Sequence, residues 1–359
     1  MRAAVCHEFG APLRIEDIEI DPPQAGEVRI DVRACGICHS DIHYIDGAWG
    51  GELPTVFGHE AAGLVEQVGP GVTGVQPGDR VIATLMRCCG ECYYCTHDSA
   101  YLCAGGFALD DQHRLHGTDG GVVRQGLQTG AFAEQIVVDQ SQVAVIPDDV
   151  AFESAALLGC GVLTGWGAVV NTAAMPAGGS CAVLGTGGVG INTLQSAALA
   201  GAETVIAIDS SPGKLSIAAD FGATAALDPT DVDIDARVHA LTDGRGVDFA
   251  FVTVGSSKAI TQALRLIRPG GTVVLVGMPA AGDFLQLDAS DLAGRGHRIL
   301  GSKMGSSVVK RDIPRLIELY RAGRFKLDEL VSGRYPLERI NEAIESVKGS
   351  SVLRNVIVF

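Results

Sequence analysis

Cys181-Ala-Val-Leu-Gly185-Thr-Gly187-Gly188-Val189-Gly190 is the stretch on which the fold turns. Four apolar residues make a short strand, and a Gly-x-Gly-x-x-Gly turn then opens a helix over about 189–200. Gly185 allows the tight turn, Gly187 lets backbone approach a pyrophosphate, and Gly190 lets helix and strand pack closely. Gly188 and Val189 complete the turn, and the N–H groups at the helix start face phosphate charge. Such turns are common alone; the strand before and the helix after make this one a dinucleotide candidate. Asp209 ends the next strand, 24 residues after Gly185. A carboxylate there suits both ribose hydroxyls of NAD and repels the 2′-phosphate of NADP. Its other reading is a helix cap. Lys214 is close enough in sequence to reach the same ribose.

Around this turn the texture is that of a doubly wound α/β fold. Strands at 181–184, 204–209, 248–254 and 272–277 alternate with helical stretches at 189–200, 214–221 and 258–267. Near-continuous apolar strands alternating with helices predict a parallel sheet covered on both faces. Residues 1 to about 160 instead hold short β-like runs at 27–32, 62–68 and 79–84, broken by Pro70-Gly71 and Pro77-Gly78. They predict an antiparallel, barrel-like domain with one long irregular insertion at about 104–130. Helices near 313–322 and 337–347 and a strand at 355–359 close the chain, and this tail is expected to rejoin the first domain. The expected division is 1–161 with 304–359, and 162–303.

Composition narrows the function classes. With 359 residues, 47% hydrophobic and 19% charged, the chain suits two packed cores. A net charge of -15 argues against nucleic acid or an anionic membrane as partner. No signal-like segment or apolar run of membrane-spanning length stands out, so cytoplasm is the expected address.

Ten cysteines in such a chain read as metal ligands before disulfides. Cys89, Cys92, Cys95 and Cys103, at x2, x2, x7 spacing, can close a tetrahedron around one zinc with no open position. Cys88 is an adjacent alternative that breaks this spacing, while Cys6 and Cys181 read as core. A second set of donors is dispersed: Cys35-Gly-Ile-Cys38-His39-Ser40-Asp41, Gly58-His59-Glu60 and Gly159-Cys160-Gly161. Spacing alone does not assemble these, and an isolated Cys160 reads first as core packing.

Taken in order, these five motifs resemble the zinc-dependent medium-chain alcohol dehydrogenases, from Glu16 to Phe359. The resemblance implies a GroES-like catalytic domain beside a Rossmann domain, NAD, and two Zn2+ per chain. It assigns the catalytic zinc to Cys38, His59 and Cys160, with Cys35 no ligand, and the structural zinc to the four-thiol group. Glu60 resembles an acid that approaches the metal, Asp41 the carboxylate that orients the histidine, and Ser40 and His43 a proton relay through the cofactor ribose. Arg354 matches a pyrophosphate contact, and His39 stands where many relatives have arginine. Thr164 and Val276 match cofactor contacts, and Trp49 and Leu85 the substrate pocket. Relatives often carry a ring at Leu85 and threonine at Ser40, so a bulky primary or secondary alcohol or its carbonyl partner is the expected substrate. The rival is a thiol-dependent formaldehyde dehydrogenase, against which Phe107 counts, since the glutathione branch has arginine there. A non-catalytic NAD-binding protein is the distant alternative. The insertion after Cys103 resembles the dimeric branch more than the short-looped tetrameric one, so a homodimer is expected, with a tetramer as the other option. The dimer is expected to join through the strand at 272–278.

Overall fold

Residues 1–349 and 352–359 are described by a computed structural model, and they divide into two units. One comprises Met1–Cys160 and Val308–Phe359, the other Gly161–Ser307.

The second unit is a parallel sheet of six strands. Their order is Ala225–Leu227, Thr204–Ile208, Ser180–Leu184, Val247–Val252, Ile267–Leu275 and Arg298–Gly301. In chain order this is the 3-2-1-4-5-6 winding of dinucleotide-binding sheets, whose ligand crevice lies outside the carboxyl ends where the order reverses. That reversal falls between Ser180–Leu184 and Val247–Val252. The central strands are buried along almost their whole length, as both-face coverage requires. Helix Ser257–Leu266 buries Ile260, Ala263 and Leu266, a helical stripe, and Ser256 caps it by accepting from the Ala259 N–H.

Two strands of this sheet are not apparent in the sequence pattern: Ala225–Leu227 and Arg298–Gly301. Both are short, and Arg298–Gly301 carries a charge and a glycine within four residues. The consequence is a correction, because Ile267–Leu275 pairs on both sides and the edge is Arg298–Gly301.

The first unit holds a small closed barrel, in the order Arg2–Cys6, Arg14–Ile20, Leu115–Gly117, Val122–Gln125 and Thr55–Val56. Its pairs are antiparallel except Thr55–Val56 with Val122–Gln125. The segment 104–130 is therefore not wholly irregular: its hairpin supplies two of the barrel staves. Beside the barrel lies a seven-stranded sheet. Within it Glu27–Gly36 pairs with Glu60–Val68 and with Arg354–Val358, both antiparallel, so the chain's end is a strand of the first unit.

Arg114 ties the hairpin to that sheet. Its guanidinium donates to both carboxylate oxygens of Glu27, at 2.9 and 2.7 Å, with side chains 5% and 3% exposed. Removing one partner of such a pair strands a buried charge. Arg114→Ala is expected to cost about 3–5 kcal/mol of unfolding free energy, read by urea denaturation, and Arg114→Lys less. An unchanged midpoint in the alanine variant contradicts this.

Candidate active site and metal centres

Strand register builds the first donor set. Gly36 lies opposite Glu60, so the residues just past one strand, Ile37 and Cys38, meet the residue just before the other, His59. Gly36 also pairs with Val356 across the next strand, which brings Arg354 toward Cys38. Gly36 has no substitute: a Cβ there would lie 2.4 Å from Glu60 Oε2 and 3.0 Å from Leu157 Cδ2. Cys160 arrives by close backbone packing. Gly159 sits so near that its Cβ would be 2.9 Å from the Ala83 carbonyl and 3.1 Å from Glu60 Cα, and Thr84 Oγ1 donates to the Gly159 carbonyl.

Ligand atoms of Cys38, His59, Glu60 and Cys160 consequently lie within 4.8 Å of one another, all buried. Asp41 fixes the imidazole. Its carboxylate is buried and accepts from the Cys38 N–H at 3.2 Å, the Gly58 N–H at 2.9 Å and His59 Nδ1 at 2.9 Å. With the proton held on Nδ1, Nε2 of His59 keeps its lone pair, and this buried atom has no hydrogen-bond partner. Two thiols, one bare imidazole nitrogen and a carboxylate around one point fit a zinc ion.

The electrostatics reflect the charge crowded around that point. A hydrogen bond from Cys160 holds the Cys38 thiol well below its ordinary range and pushes Cys160 up, with burial adding to the latter. Burial raises the Glu60 carboxyl to about 7 against the pull of Arg354. Burial lowers the His59 imidazole, but Asp41 and Cys38 outweigh it and hold the group well above its usual value. Cys35 is buried with its thiol toward the Gly36 carbonyl and stands outside the set.

Arg354, which the resemblance makes a pyrophosphate contact, lies beside the buried donor set. Its guanidinium is 3% exposed, 3.1 Å from Glu60 Oε1, and donates to the Ile37 carbonyl at 3.1 Å. Its Nε and Nη2 have no hydrogen-bond partner.

The four-thiol group forms a second cluster, with Cys89 to Cys95 and Cys92 to Cys103 each 3.9 Å between sulfurs. Tetrahedral zinc at 2.3 Å from each sulfur puts them about 3.8 Å apart. The N–H groups of Cys89, Cys92 and Gly105 point at cluster sulfurs. Backbone N–H groups of Ala104 and Cys95 draw Cys92 down to about 6, while burial, helped by the neighbouring thiols, drives Cys95 up to about 12. A dication is what such a crowd of thiolates lacks. Cys88 stands outside the cluster, its N–H donating to Ser141 Oγ.

In the second unit Gly185 has φ +90°, and a Cβ would lie 2.4 Å from Val254 Cγ1. A Cβ on Gly190 would be 1.8 Å from the Gly185 carbonyl oxygen, the close helix–strand contact that only glycine permits. Gly187 is different, for only Lys214 Nζ lies within 4 Å of its Cβ position, at 3.9 Å. That open backbone, flanked by Gly188 and Val189 at the start of helix Gly190–Leu199, fits a phosphate. Asp209 follows strand Thr204–Ile208 and accepts from Thr186 N and Oγ1 and from Ser211 N. Thr253, which sequence reading missed, donates to the Gly185 carbonyl at 2.6 Å and pins the turn. The Val276 N–H bonds the Val252 carbonyl, and Thr164 is buried with its hydroxyl on Met304 Sδ.

Comparison with known proteins matches this geometry. Residues 24–148 fit the alcohol dehydrogenase GroES-like domain and residues 188–322 the zinc-binding dehydrogenase domain. An NDMA-dependent alcohol dehydrogenase of Amycolatopsis methanolica is 40% identical over 99% of this chain and 98% of its own. The chain belongs to the zinc-dependent medium-chain alcohol dehydrogenases. Among solved structures, an alcohol dehydrogenase zinc-binding domain protein from Burkholderia ambifaria superposes with TM-score 0.94 at 35% identity, covering 100% of this chain and 98% of that one. Benzyl alcohol dehydrogenase from Acinetobacter calcoaceticus gives 0.93 at 31%, covering 100% and 99%. The protein is an alcohol oxidoreductase that uses zinc and a nicotinamide cofactor.

In this alcohol dehydrogenase, helix His39–Ile45 begins at Cys38 and sets Ser40 and His43 one turn apart on one face. Ser40 Oγ is 3.8 Å from Cys38 Sγ, beside the donor set, and His39 is exposed. The His43 ring packs 4.9 Å from Trp49, whose other contact is Tyr44, edge-on at 5.2 Å. Leu85 is half-buried just past strand Arg80–Ala83.

The two donor sets respond differently to mutation. Asp41→Asn is expected to weaken the buried site about 10–100-fold for zinc, leaving the four-thiol site loaded. Cys89→Ala reverses the pattern and lowers the melting temperature as well. Metal analysis after graded chelation reads both, and two retained zincs in either variant contradicts the assignment.

Proposed function

We propose that the protein is an NAD-dependent dehydrogenase of primary or secondary alcohols, carrying two zincs per chain. Cys38, His59 and Cys160 hold the catalytic zinc, and Cys89, Cys92, Cys95 and Cys103 the structural one. The observation that carries this reading is the unpartnered Nε2 of His59, buried between two thiols. Zinc there supplies a Lewis acid for the alcohol or carbonyl oxygen, and the nicotinamide supplies the hydride acceptor or donor.

The chain's own residues do the rest. Asp41 keeps the imidazole in the tautomer that leaves Nε2 free. Ser40 takes the substrate's hydroxyl proton, and His43, one turn along and half-exposed, releases it to solvent. Glu60 stands among the donors as a carboxylate able to approach the metal, balanced by Arg354. Asp209, with both oxygens directed by Thr186 and Ser211, favours the unphosphorylated ribose of NAD. Leucine at 85 and serine at 40 leave room for bulky substrates, and the benzyl alcohol dehydrogenase neighbour fits that choice.

A panel of alcohols graded in chain length and branching, followed at the NADH absorbance with NAD and with NADP, tests this reading. Bulky or benzylic alcohols are expected to give the highest kcat/KM, with NAD preferred. One arm adds formaldehyde with glutathione or mycothiol, and another supplies NDMA as acceptor, after the Amycolatopsis relative. Formaldehyde turnover that requires a thiol replaces the alcohol reading. Failure of every alcohol with either acceptor, in protein carrying two zincs, sinks it.

A homodimer joined through the second unit is proposed with it. Arg298–Gly301 is the free edge of the parallel sheet, and the segment leading to it exposes Met278 and Phe284 at 64% and 84%. Phe284→Asp is expected to shift the molar mass seen by light scattering from dimer toward monomer. A tetramer insensitive to this change overturns that interface.

A further inference from the structure

Two uncommon pieces of backbone meet in the second unit. Met304, Gly305 and Ser306 all have positive φ, at +48°, +68° and +49°, and Met304 and Ser306 lack glycine's freedom. Helix Gly161–Gly167 runs on into a turn of π-helix, Ala168–Thr172, a form found mostly at functional positions. One side chain of that turn joins the two. Thr172 Oγ1 lies 2.8 Å from Ser302 Oγ, ahead of the left-handed stretch, and 2.8 Å from Ser306 Oγ, at its end. A hydroxyl has one proton to donate and lone pairs to accept, so a single threonine can bond both serines. Asn171 Nδ2 adds longer bonds to the Gly305 carbonyl and Ser307 Oγ, each at 3.4 Å. The packing is tight, for a Cβ on Gly167 would lie 2.2 Å from the Gly305 carbonyl oxygen.

The stretch leaves the carboxyl end of the edge strand Arg298–Gly301, where the Ser302 N–H bonds the Leu275 carbonyl at 2.9 Å. A dinucleotide lies across the carboxyl ends of such a sheet, centred where the strand order reverses. The glycine turn and Asp209 follow Ser180–Leu184 and Thr204–Ile208, on one side of that reversal. The ends of Val247–Val252, Ile267–Leu275 and Arg298–Gly301 are left for the half beyond the pyrophosphate. We infer that Thr172 is a positioning residue for the nicotinamide half of the cofactor; the inference rests on the NAD reading above. Residues other than glycine stay left-handed only where their surroundings hold them, and strain of this kind gathers at ligand clamps. The Thr172 hydroxyl does the holding here. Without it Met304 and Ser306 relax toward ordinary backbone angles, and the chain between Gly301 and Ser307 changes course beside the nicotinamide.

Equilibrium binding of NADH and of ADP-ribose, which lacks the nicotinamide, to the zinc-loaded protein tests this without turnover. Thr172→Val keeps the shape and removes the hydroxyl. It is expected to weaken NADH about tenfold and ADP-ribose less than about twofold, the order of two neutral hydrogen bonds. The emission of bound NADH should move toward that of free NADH in the same variant. Thr172→Ser, which restores the hydroxyl, is expected to keep the wild-type ratio of the two affinities. Should the valine variant fail to fold, Ser306→Ala removes one of the two bonds and is expected to show a smaller loss for NADH alone. Equal loss for both ligands makes Thr172 a purely structural residue and overturns the inference. No loss for either, or a serine variant that behaves like valine, overturns it as well. Wild-type protein that binds neither NADH nor ADP-ribose brings down the NAD reading itself.

Discussion

A single buried carboxylate holds the chemistry of this protein in place. Asp41 accepts three hydrogen bonds from two separate parts of the chain: the Cys38 N–H, and the Gly58 N–H and His59 imidazole. The first starts the helix carrying Ser40 and His43, because Cys38 is its cap residue. The second seizes the turn at Gly58, where φ is +94° and a Cβ would lie 2.6 Å from the Phe132 nitrogen, so only glycine fits. The third sets the tautomer of His59. Loss of this carboxylate would leave a ligand, a helix start and a turn without their common anchor at once. A charge with 0% exposure is expensive unless every lone pair is used, and here the protein supplies the donors.

Around Asp41, position comes from register rather than from loops. The antiparallel pairing of Glu27–Gly36 with Glu60–Val68 and Arg354–Val358 converts three remote segments into one wall. Antiparallel pairing puts the end of one strand against the beginning of the next, so Cys38 and His59 meet although twenty residues separate their motifs in the chain. A slip of one residue would turn the donors to the other face of the sheet. Gly36 and Gly159 reinforce the register by close contacts that no side chain could tolerate.

This explains which parts were legible in the sequence. The glycine turn and the four-thiol group are local: their donors or amides lie within a few residues of each other, and spacing describes them. The alternation of apolar strands and helices likewise announces the parallel sheet. The buried donor set is nonlocal, and nothing in the spacing of Cys38, His59 and Cys160 encodes a register; only likeness to a family brought them together beforehand. Leu115–Gly117 and Arg298–Gly301 escaped because three or four residues that include His, Arg or Gly show no period. The Glu60–Arg354 pair escaped for the same reason as the donor set, since it spans almost the whole chain.

That pair also bears on how the buried set tolerates its own charge. Two thiols, Glu60 and Asp41 crowd a buried pocket in which Arg354 forms an ion pair with Glu60. A hydrogen bond between the thiols pushes Cys38 down and Cys160 up, and burial raises Glu60 to about 7. These shifts come from burial and from close contact among the donors. A divalent ion held there would favour the deprotonated thiols and carboxylate. The half-buried four-thiol cluster shows the same opposed shifts in Cys92 and Cys95, and among the described residues no arginine pairs with it. Four thiols can close around a metal by themselves. The buried set has an arginine 3.1 Å from its carboxylate, so that charge is paired within the protein.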